Sequence, residues 1–388
     1  MTLKKTASDR IKLGFIGGGA TSFIGIAHRI AAYMGEQYQL TGGVWGSDVE
    51  QGKVFARQLG LDLSRTYSDI DAFIEGENSL PPSERIKVVA VLTPNFLHYP
   101  MASQLVTAGF HVLCEKPMTI SVTEAVELED LVQKNNVVFG LAHTYAGYPM
   151  VRQMREMITH GEIGKIQKID VQYYQGWINP FIHDADKRSQ VWRLDPDTAG
   201  QSCCMGDIGI HAFNLVEYTT GLQVERVLAD INTLYKDNPL DVDGTVMFRT
   251  THDVRGLIRA SQIATGEENN LALAVYGDQG GLKWEQENPT ALYYLKEGEP
   301  ARIYKPGNTY NHAFALESTK IAPGHPEGIF DALGNIYSGI AQAVRNEPGG
   351  HQPDNKGAFP GVTEGVRGMQ FIEAVLKSSR EGQVWVKL

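Results

Sequence analysis

Cysteine is scarce in this sequence and long apolar runs are missing. Only Cys114, Cys203 and Cys204 occur among the 388 residues. The odd count, with two of the three adjacent, rarely supports an ordinary disulfide. A disulfide-stapled scaffold is excluded, and reduced thiols in a reducing compartment are expected. No stretch approaches the roughly 20 apolar residues that a spanning helix needs. Residues 1–10 carry no apolar segment of the kind a secretory leader requires. A cytoplasmic location with no membrane partner is therefore expected. Cations are in the minority, with 35 Lys and Arg against 45 Asp and Glu and a formal net charge of −10, which argues against a nucleic-acid or anionic-membrane surface. Low-complexity linkers and internal repeats are also lacking. The length then suits two globular domains working on small molecules.

What is present begins with residues 11–19, Ile-Lys-Leu-Gly-Phe-Ile-Gly-Gly-Gly, a strand running into a glycine turn. Helical spacing follows from Ala20 to Met34 through Ile24, Ala27, Ile30 and Ala31. Gly17-x-Gly19-x-x-Ser22 approximates the dinucleotide fingerprint, with Ser22 where a third Gly or Ala is usual; the first glycine makes the turn and the second lets a pyrophosphate reach the helix start. A second strand over residues 40–45 ends in Gly46-Ser47-Asp48. Asp48 can hold a ribose diol or cap the following helix over residues 49–59, so NAD and NADP both remain open. Residues 86–92 are apolar throughout, as expected for a strand covered on both faces. They lead into Thr93-Pro94-Asn95-Phe96-Leu97-His98, where Asn95 and His98 are candidates for ribose and substrate contacts.

The stretch His111-Val112-Leu113-Cys114-Glu115-Lys116-Pro117 brings a buried strand to an acid, a cation and a stiff exit. Open α/β sheets bind ligands at such carboxyl ends, which makes Lys116 the first catalytic candidate. A helix over 122–134 and a strand over 137–142 complete a parallel, doubly wound domain, residues 1–145. From residue 146 to 388 the pattern changes to long strands over 166–174, 224–235, 242–249, 254–262 and 271–276. These predict a large open, mainly antiparallel sheet, with helices over 329–346 and 364–379 and a short final strand. Residues 204–219 read as a helix, which would set Asp207 and His211 on one face at i and i+4. There a carboxylate can fix the imidazole tautomer and stabilise the imidazolium. A metal reading of Cys203, Asp207 and His211 is the weaker alternative, and no metal is expected.

Gly17-x-Gly19, Thr93-Pro94-Asn95 with His98, Glu115-Lys116-Pro117 and Gly206-Asp207-Ile208-Gly209-Ile210-His211 occur in the order and approximate spacing of the Gfo/Idh/MocA (glucose–fructose oxidoreductase, inositol dehydrogenase, rhizopine catabolism) oxidoreductases, which the chain resembles over almost its whole length. The resemblance implies a Rossmann domain followed by an α/β substrate-binding and oligomerisation domain. It also implies NAD or NADP as cofactor and hydride transfer from a ring carbon of a sugar or cyclitol. Lys116 would polarise the hydroxyl, and His211, oriented by Asp207, would act as base. Cofactor contacts are expected from Gly17, Gly19, Ala20, Ser22, Ser47, Asp48, Thr93, Pro94, Asn95, His98, Glu115 and Lys116. Substrate contacts are expected from Lys116, His143, Tyr145, Trp192, Arg193, Asp207 and His211, although His143-Thr144-Tyr145 departs from the Asn-x-Arg of many members. Trp177, Arg188 and His325 are further polar or aromatic residues of the second domain. A homodimer or homotetramer is expected. A non-catalytic NAD(P)-binding sensor and an NAD-assisted glycosidase are the rival classes.

Overall fold

The structure is a computed structural model that describes residues 10–346 and 357–388. The chain forms two compact units that are discontinuous in sequence. The first unit comprises residues up to Thr119, Thr123–Thr144 and Phe330–Gly365, and the second comprises Ile120–Val122, Tyr145–Ile329 and Val366–Leu388.

The first unit is built on five parallel strands, β1 (Ile11–Gly17), β2 (Tyr38–Val44), β3 (Val88–Leu92), β4 (His111–Cys114) and β5 (Phe139–Leu141), in the order β2-β1-β3-β4-β5. Every residue of β3 is buried, as its Val-Val-Ala-Val-Leu sequence requires of a central strand covered on both faces. The strand order reverses at β1, so the ligand crevice of this sheet lies at the carboxyl ends of β1 and β3. Helices Phe23–Met34, Val49–Gln58, Ile70–Asn78, His98–Thr107 and Val122–Asn135 follow the strands. The sequence pattern passed over the Ile70–Asn78 helix; Asp69 caps it, and its Glu77 carboxylate is fully buried against Arg65 and Tyr67. Such a charged core position breaks the apolar periodicity. The helix Ile329–Arg345 returns to this unit, where Tyr337 packs on Tyr38 and His28.

The first helix buries Ala27 and Ala31 of the expected spacing but not Ile30. Ile30 is 39% exposed, whereas His28 is fully buried beside Ala27, Ala31 and Ala32. A buried hydrogen-bonded histidine thus replaces one apolar position, which spacing alone does not reveal.

The second unit carries nine strands among the described residues: β6 (Ile166–Tyr174), β7 (Val224–Asn232), β8 (Asp243–Thr250), β9 (Arg255–Ser261), β10 (Asn270–Gly277), β11 (Gly281–Glu285), β12 (Leu292–Leu295), β13 (Arg302–Tyr304) and β14 (Val386–Lys387). Their order is β13-β12-β11-β10-β6-β9-β8-β7-β14, antiparallel except for the parallel pair β6 and β9. Leu271, Leu273 and Val275 alternate with less buried neighbours along β10, so one sheet face packs and the other is more open. The helices Pro149–Thr159 and Ile210–Thr220 belong to this unit and are buried along most of their lengths. No helix among the described residues is long and apolar enough to cross a membrane.

Candidate functional site

In the first unit, the turn after β1 is bare backbone. Gly17 and Gly18 take φ values of 86° and 69°, a region open to glycine at little cost. A Cβ on Gly19 would fall 2.2 Å from the Trp45 carbonyl oxygen. The helix starts at Phe23, three residues after the expected Ala20, because Ser22 is its N-cap and accepts from the Gly25 N–H at 3.1 Å. Close helix packing, the usual part of a third fingerprint glycine, falls to Gly25, whose Cβ would lie 2.4 Å from the Gly18 oxygen. Ala20 is exposed in the turn, and the first helical turn contains no acid. Three successive glycines before a positive helix end leave backbone that a pyrophosphate can approach. At the end of β2, Ser47 and Asp48 are exposed, and Asp48 caps the next helix by accepting from Gln51 N–H at 3.0 Å.

The exits of β3 and β4 are clamped together. His98 is 1% exposed, with Nδ1 2.7 Å from the Pro117 carbonyl and Nε2 2.9 Å from the Thr93 carbonyl. A neutral ring donates to only one of them at a time. Burial holds the imidazole below its usual range, against the pull of both carbonyls and of Glu115. His98, expected to face ribose or substrate, therefore directs both ring nitrogens at backbone, pinning the segments that carry Asn95 and Lys116. Asn95 opens a short 3-10 turn, Asn95–Leu97.

Glu115 is similarly engaged. Its carboxylate accepts from His28 Nε2 at 2.8 Å and from the Lys116 N–H at 3.1 Å, while His28 Nδ1 meets the Tyr337 hydroxyl at 2.8 Å. Burial alone would raise the Glu115 pKa. The His28 hydrogen bond and the charges of His28, Lys116 and His98 outweigh it and hold the carboxyl below its usual range. An ionised Glu115 thus lies beside Lys116 in sequence and in field. His143, just past β5, is 1% exposed; burial and then the Lys116 charge push its pKa down to about 3, so it is neutral at neutral pH. His28 and Tyr337 escaped the sequence reading, since a histidine in an alanine-rich helix and a tyrosine some 300 residues later carry no local pattern.

In the second unit, residues 204–219 are not one regular helix. A π turn, Met205–Gly209, precedes the α-helix Ile210–Thr220, and π turns widen the ladder often at functional sites. Gly209 leaves room for the Met205 side chain, whose Cε would lie 2.7 Å from a Cβ there. The distortion is anchored by Asp241, 2% exposed, whose carboxylate accepts from the Cys203 N–H at 3.0 Å and the Met205 N–H at 2.7 Å. Burial pushes the Asp241 pKa up, opposed by those hydrogen bonds. Its signal in the sequence is only Asp241 before an apolar strand, so its function as an anchor could not be read there.

Asp207 opens this turn toward a polar wall. Its Oδ2 accepts from Gln262 Nε2 at 2.8 Å and sits 3.4 Å from Arg193 Nε. Gln262 is fully buried, and its other terminus accepts from the Cys203 thiol at 3.2 Å, which commits Cys203 to orienting the amide. Arg193 lies over the Trp192 ring at 4.4 Å and the Trp177 ring at 5.8 Å. His211, 7% exposed, meets the Tyr145 ring edge-to-face at 4.8 Å and the Tyr173 ring at 6.3 Å. The Tyr145 and Tyr173 hydroxyls are hydrogen-bonded to each other, and Tyr173 donates to Asn269 Oδ1 at 2.7 Å. Burial pushes the Tyr173 phenol well up, so it acts as a neutral donor. The structure thus gathers Trp192, Arg193 and Asp207 around Gln262, and Tyr145 and His211 around Tyr173 and Asn269, with the Asp207 charge felt at the Tyr173 phenol. Arg188 pairs with Asp237, and the exposed His325 bonds the Ala322 carbonyl.

A parallel doubly wound sheet whose first strand runs into a glycine turn is the architecture of a dinucleotide-binding domain. Residues 11–143 match the oxidoreductase family with an NAD-binding Rossmann fold, and residues 151–283 match the GFO/IDH/MocA C-terminal domain. The chain belongs to the GFO/IDH/MocA oxidoreductase family and contains an NAD-binding domain. It is similar to an oxidoreductase from Sinorhizobium meliloti (36% identity, 97% of this chain and 99% of that one, TM-score 0.86). It is also similar to an inositol dehydrogenase homologue from Azotobacter vinelandii, solved with NADH and myo-inositol (30% identity, 98% of each chain, TM-score 0.88). The levoglucosan dehydrogenase of Pseudarthrobacter phenanthrenivorans is 27% identical over 312 residues, 73% of this chain and 76% of that protein.

Proposed function

We propose that this chain is an NAD-dependent dehydrogenase that oxidises a ring hydroxyl of a sugar or cyclitol. The observation that carries the reading is the pair of side chains at and just after the π turn, where Asp207 is fixed by Gln262 and Arg193 while His211 is walled by Tyr145 and Tyr173. Aromatic walls with convergent polar groups suit a polyhydroxylated ring. The two relatives named above for myo-inositol and levoglucosan support the same substrate class. Gly17, Gly18, Gly19 and the helix start at Ser22 would hold the pyrophosphate. Bound NAD supplies the hydride acceptor. His211 takes the hydroxyl proton through a ring nitrogen, Asp207 holds the charge that forms on the ring, and the Lys116 ammonium stabilises alkoxide character on the substrate oxygen. His98 and Glu115 fix the backbone that presents Lys116.

A panel of sugars, anhydrosugars, glycosides and inositols, watched at the reduced-cofactor absorbance with NAD and NADP, tests this reading. Cofactor reduction by at least one free sugar or cyclitol is expected. NAD binding without turnover would favour a sensor, and glycoside cleavage without net reduction would favour an NAD-assisted glycosidase. We further propose a homodimer or homotetramer built on the more open face of the nine-stranded sheet, where Met247 is 47% exposed. Light scattering at the 42.8 kDa of one chain would contradict it.

A further inference from the structure

A second histidine cluster lies in the second unit, apart from the network around Asp207. One ligand atom from each of Glu156, His160 and His312 lies within 4.8 Å of the others. Glu156 and His160 sit one turn apart at the carboxyl end of the helix Pro149–Thr159, where the helix field favours a cation. His312 caps the helix Ala313–Ser318. The two imidazoles stack at 4.6 Å with an interplanar angle of 14°.

The hydrogen bonds select the tautomers. His160 Nδ1 donates to the Glu156 carbonyl at 2.8 Å, so its lone pair is on Nε2. His312 Nε2 donates to Glu162 Oε1 at 2.7 Å, so its lone pair is on Nδ1. A carboxylate behind an imidazole is the usual outer support of a metal-bound histidine. The supports are themselves fixed, since the His312 N–H donates to Gln153 Oε1 at 2.8 Å and Tyr294 donates to the Glu162 carbonyl at 3.1 Å.

We propose that Glu156, His160 and His312 form a divalent-cation site of the zinc type, with Glu162 orienting His312. Two imidazoles and a carboxylate suit zinc and its late first-row neighbours better than magnesium, which prefers oxygen donors. Tetrahedral zinc sets its donors about 3.3 Å apart, given bonds of about 2 Å. The exposed His160 ring therefore swings inward on binding, and the ion staples the helix Pro149–Thr159 to the segment before Ala313.

The test is calorimetric titration of the chelator-treated full chain with zinc chloride in excess magnesium, alongside thermal melting. One zinc per chain and a zinc-dependent rise in Tm are expected. His160→Ala, an exposed substitution that keeps the fold, should weaken binding by more than about a hundredfold, and Glu162→Gln by about 10–100-fold. His325→Ala should bind as the unsubstituted chain does. Absence of saturable zinc binding, or binding unchanged in His160→Ala, would overturn the site. NAD binding and turnover need not change in either case, so the outcome is separate from the dehydrogenase reading.

Discussion

The exit of β4 and the π turn at Met205–Gly209 hold their functional side chains by opposite means. Lys116 follows directly from a buried strand, and its neighbours Glu115 and Pro117 are engaged by His28 and His98 within the same sheet's elements. Asp207 and His211 instead sit on a distorted helix whose shape depends on Asp241 and Gln262, residues brought in from other strands and loops. The first arrangement runs straight on from a regular strand and is pinned by two buried histidines. The second is assembled from distant parts and carried by side chains. Substitutions around Lys116 should therefore separate chemistry from fold more cleanly than those around the π turn.

The largest effect is expected just past the π turn, in the first turn of the helix Ile210–Thr220. His211→Ala should lower turnover by roughly two to four powers of ten, the usual worth of a general base, with NAD affinity unchanged in a fluorescence titration. Near-normal rate would remove the base from this segment. At the strand exit, Lys116→Met should lower kcat by about 10²–10³, comparable to losing one charge-stabilising donor. Retained NAD binding would sharpen the comparison, since the glycine turn is untouched.

Third comes Gly25→Ala. The added methyl would meet the Gly18 backbone at 2.4 Å, and overpacking of this kind costs roughly 1–3 kcal/mol. NAD affinity should fall by about tenfold or more, while a zinc titration or the π-turn network should not respond. Unchanged NAD affinity would show that the turn relaxes freely.

The last comparison concerns pH and stability in the first unit and is read as a difference in slope between two Tm curves. The unfolded chain protonates His143 below the usual 6.5, but the folded chain resists until about 3. Stability supplied by neutral His143 is thus full above the upper value and is lost as pH falls across that window, by up to about 1.4 kcal/mol per pH unit. Glu115, held below its usual range, adds to the loss only at the acid end. The Tm of His143→Asn should fall less steeply than that of the unsubstituted chain; parallel curves would contradict the assignment.

Legibility in the sequence follows the same division. The strand–glycine–helix start, the apolar β3 and the Glu115-Lys116-Pro117 exit were readable because each is a short contiguous pattern, and β6 was placed at its observed ends, Ile166–Tyr174. The expected face of the first helix was wrong at Ile30 and His28 because the buried polar chain His28–Tyr337 closes over some 300 residues. The spacing over 204–219 shows a helix but not its π turn, since nothing local announces that Asp241 takes the Cys203 and Met205 N–H groups. Asp48 could be read two ways, and the structure shows it capping a helix.

The most direct test of the account is the pH dependence of kcat/KM for oxidation of a substrate found in the panel, in the unsubstituted chain and in His211→Gln. The rate is expected to rise with pH through one ionisation in the former, as a base must be neutral to accept the proton, and that ionisation to vanish in the latter. The same ionisation persisting in His211→Gln would contradict it.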